Sequence, residues 1–193
     1  MPLFSSSPNF VADSTLAQST FIAPTTYAGV TVPIYSGTTP TYALWNPLGS
    51  NRLMVPVSIN VGVEATGTAA LAALGLSQVT STTGSFATGL PIATWTDATV
   101  YNGRVGKSGG NSVRFATSLT LTTAGNFFYH LGFGNASAAA GTGYVTMRHD
   151  FNGQLILEPG NLIHLVGVPV APGQPLTVSM SWVELDSSGN LIR

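Results

Sequence analysis

The chain has 193 residues, enough for one β-rich domain with a core of its own. Only 7 % of them are charged, against about 25 % in an average soluble protein, and the six scattered basic residues at a net charge of −1 give no electrostatic footprint for nucleic acid. Cysteine is absent, which excludes disulfides and thiolate metal or redox sites, and no apolar run approaches the ~20 residues that span a bilayer.

Residues 1–27 carry Ser, Thr, Pro and isolated apolars with no sustained period, and read as an extended arm. Phe4, Phe10, Phe21 and Tyr27 make it richer in aromatics than a solvated tail, which favours docking on a partner. The opening MPLFSSSPNFVADSTLAQ lacks the basic n-region and continuous apolar core of a signal peptide, so a product kept in the cytoplasm is expected.

Residues 28–193 read as a β-body. AGVTVPIY (28–35) is a strand placed at a sheet edge by Pro33. YALW (42–45) is a short strand, and NPLGSN (46–51) is a loop. In LMVPVSINVGV (53–63) Leu53, Val55, Val57, Ile59, Val61 and Val63 fall on every second position, which assigns them to one face of a long strand, with a bulge expected near Pro56. AALAALGL, within 66–79, fits a turn or two of helix or a buried Ala-rich connection. Residues 80–91 read as a loop, IATW and ATVY as a short hairpin about Thr96 and Asp97, and NGRVGKSGGN (102–111) as a glycine-rich basic loop. Strands follow near 112–121, 126–133, 144–151, 154–158 and 162–168, and PLTVSMSWVEL closes the body with Leu176, Val178, Met180 and Trp182 on one face. Eight to ten strands with turn signals about every ten residues predict an all-β, jelly-roll-like sandwich of two sheets.

Motifs that carry chemistry are weak. Gly106-Lys107-Ser108-Gly109-Gly110 matches the nucleophile elbow G-x-S-x-G, but the strand before it and the helix after it are missing. The same loop ends like a P-loop, yet Tyr101 stands where the first glycine belongs. His130, His149 and His164 are scattered, and Asp97, Glu158, Glu184 and Asp186 suggest no catalytic pair, so neither an enzyme nor a metal or other cofactor is expected. Trp45 precedes a loop and suits an interface, whereas Trp182 continues a core face. In NFFYHL (126–131) Phe127, Tyr129 and Leu131 alternate with Phe128 and His130, and aromatics on both faces suggest that a neighbouring copy covers one of them. The low charge points the same way, since a lone monomer usually keeps a charged surface.

Two pieces, YALWNPLGSNRLMVPVSINVGV (42–63) and LILEPGNLIHLVGVPVAPGQPLTVSMSWVEL (155–185), together resemble tailed-bacteriophage virion proteins with a jelly-roll body, of the head decoration (cement) or head-fibre type. They cover a quarter to a third of the chain. The resemblance implies a homotrimer, assembled in the host cytoplasm, that sits on the outer capsid surface and clamps the major capsid protein, with neither membrane nor nucleic acid as partner. On that reading the arm residues Phe4, Phe10 and Phe21 are expected to contact the capsid, and Trp45, Phe127 and Tyr129 to make the trimer contacts. A receptor- or carbohydrate-binding module of a phage fibre, stacking sugars on Trp45 or Trp95, is the alternative.

Overall fold

The structure is a computed structural model that describes residues 14–15, 17–64, 72–80, 92–107, 110–134, 144–168, 171 and 175–191. Twelve strands lie among them: β1 (Thr20–Pro24), β2 (Val30–Thr31), β3 (Ala43–Asn46), β4 (Arg52–Glu64), β5 (Ala72–Thr80), β6 (Ile92–Asp97), β7 (Tyr101–Asn102), β8 (Arg114–Leu121), β9 (Asn126–Gly134), β10 (Tyr144–Asp150), β11 (Asn161–Val168) and β12 (Pro175–Asp186). One sheet runs β10-β4-β12-β1-β7, with β2 also on β12; the other runs β6-β8-β3-β11-β5-β9.

The connectivity is that of a jelly roll. With β2 and the excursion β6–β8 set aside, eight strands remain, and the first pairs with the last (β1·β12), the second with the seventh (β3·β11), the third with the sixth (β4·β10) and the fourth with the fifth (β5·β9). The chain thus folds back on itself as one long doubled hairpin that wraps into two sheets, as the sequence led one to expect. The excursion widens both sheets, with β6 and β8 extending the second beyond β3 and β7 extending the first beyond β1. The hairpin expected about Thr96 and Asp97 is therefore not formed: IATW pairs with β8, and the chain crosses to the first sheet before Tyr101. The Ala-rich stretch is neither helix nor plain connection from Ala72 on, but the strand β5.

The long alternating segment forms β4, and the bulge falls beside Pro56. Ser181 pairs with Ser58 while Trp182 pairs with Pro56, so Val57 is an extra residue on β4. One inserted residue reverses the parity of a strand. Ile59 and Val61 face the space between the sheets, as does Met54. Leu53, Val55 and Val57 lie on the opposite face, with Val183 and Leu185. The single apolar face read from residues 53–63 is thus two half-faces, joined at the bulge.

The main core lies between the sheets and includes Phe21, Tyr42, Leu44, Phe115, Phe151 and Trp182. Phe21 belongs to β1 and is 2 % exposed, its ring 6.0 Å from that of Trp182. It is a core residue and has no surface to offer a capsid, and the sandwich begins inside the segment read as an arm. Tyr42 ties the sheets together: its buried hydroxyl donates to the Ala23 carbonyl at 2.5 Å and accepts the Met180 N–H at 3.0 Å. Ala23 and Met180 are register partners on β1 and β12, so a side chain from the second sheet completes the ladder of the first. Removing that hydroxyl strands a donor and an acceptor in the core, which costs about 1–3 kcal/mol. The Tyr42→Phe variant is expected to fold and to lose stability of that order in urea titration.

Candidate functional site

A candidate site lies where β9, at the end of the second sheet, comes against β10, at the end of the first. β9 ends the second sheet and, among the described residues, pairs with β5 alone. It carries two bulges: Ser77 pairs with Phe127 and Leu76 with Tyr129, leaving Phe128 extra, and Gly75 pairs with His130 and Leu74 with Gly132, leaving Leu131 extra. Such bulges twist an edge away from indiscriminate strand pairing. They also break the alternation read for Phe127, Tyr129 and Leu131. Tyr129 and Leu131 reach the core between the sheets. Phe127 lies instead over Gly75, where an added Cβ would stand 2.3 Å from its ring.

Tyr129 is half-buried and closes the gap to β10. Its hydroxyl donates to Gln154 Oε1 at 2.8 Å, which leaves it to accept from His149 Nε2 at 3.0 Å and places the hydrogen on that nitrogen. The His149 ring stands edge-on to Tyr129 at 5.5 Å and to the buried Phe151 at 5.1 Å. Phe128 stacks beside Tyr129 at 6.1 Å. Phe127 and Phe128, consecutive on β9, remain 38 % and 37 % exposed. A half-buried, hydrogen-bonded aromatic seam thus carries an exposed aromatic rim.

The other expected interface residue, Trp45, is 3 % exposed and lies in a second apolar cluster with Leu162, Val79 and Trp95. The Arg114 guanidinium sits 5.1 Å from the Trp45 ring and 5.6 Å from that of Trp95. Asp97 accepts from Arg114 Nε at 2.8 Å and from Trp95 Nε1 at 2.8 Å. Arg114 is the main reason the Asp97 carboxyl titrates below its ordinary range. Trp45 therefore packs within its own chain rather than at a subunit contact. Phe4, Phe10 and Ser108 lie outside the described residues.

Chemical groups stay apart. Among the described residues no three of His, Asp and Glu stand close enough to hold a metal ion. Glu184 is fully buried and accepts the N–H groups of Ser112 (3.0 and 2.9 Å) and Val113 (3.0 Å) and the Trp182 indole (3.3 Å). It pins the entry to β8 against β12, a structural duty that the continued alternation Met180, Trp182, Glu184 signals. Asp186 instead organises the turn at Ser188–Asn190. No family model matches the sequence, and no curated protein matches it significantly.

His164 sits beside the second apolar cluster, 1 % exposed, opposite the buried Ser77 in register. Gly125 covers it so closely that a Cβ there would meet Nε2 at 2.7 Å. Neither ring nitrogen has a well-formed hydrogen bond among the described residues. Burial pushes the imidazole down from 6.5 to about 4, offset only in part by the Leu165 backbone. Because the unfolded chain binds this proton more tightly, stability is full above about pH 6.5 and falls as the pH drops toward 4, by about 3 kcal/mol in all. His164→Leu is expected to flatten that acid limb in denaturant titrations run across the same range.

Proposed function

We propose that this chain is a non-catalytic structural virion protein that decorates and stabilises the outer surface of a phage capsid as a homo-oligomer, a trimer by its resemblance. The observation that carries the reading is the exposed rim Phe127–Phe128 on a bulged edge strand, seated on the hydrogen-bonded Tyr129–His149–Phe151 seam. Neighbouring exposed phenylalanines on ordered backbone suit burial by a second copy, because aromatic side chains dominate the desolvated centre of interfaces. Bulges make continuous strand pairing at β9 unfavourable, so the contact is one of side chains and can close as a ring. The jelly-roll strand order and the low charge support the same reading. Attachment to capsid would then rest on several copies of one weak contact acting together.

The rim gives the experiment. Light scattering on a sizing column is expected to return three times the chain mass. The Phe127→Ser/Phe128→Ser double variant is expected to return one chain mass while still unfolding cooperatively, at a lower midpoint because each ring is more than half buried. A monomeric wild type, or a variant that assembles as well as the wild type, would contradict the reading.

A further inference from the structure

The outer face of the first sheet carries a feature that assembly through β9 does not use. An open groove of about 520 Å³ crosses β10, β4 and β12 and ends at the turn after β1. The register lays its polar side chains in two rows perpendicular to the strands. Arg148 pairs with Asn60, and Asn60 with Ser179; alongside, Thr146 pairs with Gly62, and Gly62 with Thr177. Each row spans two inter-strand steps, about 10 Å. Gly62 forms the low point of the floor, where a Cβ would stand 2.5 Å from Thr177 Oγ1.

Tyr27 stands at the end of the groove and is 96 % exposed. Its turn is fixed by the Gly29 N–H on the Thr26 carbonyl at 3.0 Å. Gly29 has φ +70°, and a Cβ there would strike the Leu176 backbone at 2.8 Å, so the turn admits no ordinary side chain. A nearly bare aromatic ring held on a rigid turn adds nothing to the core. It is a stacking platform. The one charge in the groove is compensated, because Arg148 Nε and Nη2 lie 3.0 and 2.9 Å from Asp150 Oδ1.

We infer that this groove is a binding site for a neutral saccharide, one ring stacking on Tyr27 while its hydroxyls bond to Asn60, Thr146, Thr177 and Ser179. Uncharged donors and acceptors beside an aromatic face match a polyhydroxylated ring with apolar C–H edges. The compensated arginine disfavours acidic sugars as the preferred class. This site is distinct from Trp45 and Trp95, whose rings Arg114 engages, and it does not rest on the capsid reading.

The test is an array of immobilised neutral, sialylated and sulfated glycans probed with the full chain, followed by calorimetric titration of the strongest neutral binder. Tyr27→Ala and Asn60→Ala, both at exposed positions, are each expected to weaken binding by about tenfold or more with unfolding unchanged. The Phe127→Ser/Phe128→Ser variant is expected to keep the wild-type affinity per chain, which separates failure of this site from failure of the assembly reading. No neutral glycan bound by the wild type, a preference for the acidic glycans, or undiminished binding by Tyr27→Ala or Asn60→Ala would each overturn the inference.

Discussion

The pairing of β4 with β12, offset by one residue at Val57, is the constraint on which the rest of the molecule depends. β12 lies between β4 and β1 and presents Leu176, Val178, Met180 and Trp182 to the core, then the buried carboxylate of Glu184. Its partner must change face midway to keep Met54 inward as well as Ile59 and Val61. The bulge does so, and it leaves Val55 to pack with Val183 and Leu185 on the other side of the sheet. Without that change of parity, strict alternation would bring Leu53 and Val55 to the core side with Ile59 and Val61 and turn Met54 away from it, since a one-residue slip exchanges the faces of a strand. Tyr42 and Glu184 then lock the arrangement from the second sheet and from the β8 entry.

Much of this was legible in the residues, and the failures have identifiable causes. Strands β8 and β12 fall where alternation and turn residues place them, because each has one face on the core, while β3, β9 and β11 are located by their apolar runs and the turn signals at their ends. Pro56 signals the bulge in β4, but its effect on facing does not show in the sequence: both faces are apolar there, so the alternation runs on unbroken across a change of parity. β5 was obscured by alanine, which fits helix and strand alike until a neighbour decides, and β11 and β9 on either side decide for strand. Phe21 reads as part of an arm in the sequence because a five-residue strand is too short to show a period. Only its pairing with β12 reveals it.

The candidate sites divide in the same way. The aromatics of β9 announced themselves in sequence, but their division into an inward Tyr129 and an outward Phe127 follows from two bulges that composition does not encode. The polar rows of the first sheet went unseen. Arg148, Asn60 and Ser179 are far apart in the chain and become neighbours only through antiparallel register. Sequence patterns report best on contacts along one strand, while functional surface on a sheet is assembled across strands. A chain with so few charges makes this acute, since its surface chemistry rests on hydroxyls, amides and a few exposed rings.

The central claim is that β9 is the face by which copies of this chain meet. Hydrogen–deuterium exchange along a dilution series, with mass followed by sizing under the same conditions, tests it most directly. The account predicts that β9 amides are protected in the assembled form and lose that protection as the mass falls to one chain, while amides of β11 and β12 exchange alike throughout. A chain that stays monomeric across the series, or β9 amides that exchange at one rate whatever the mass, would contradict it.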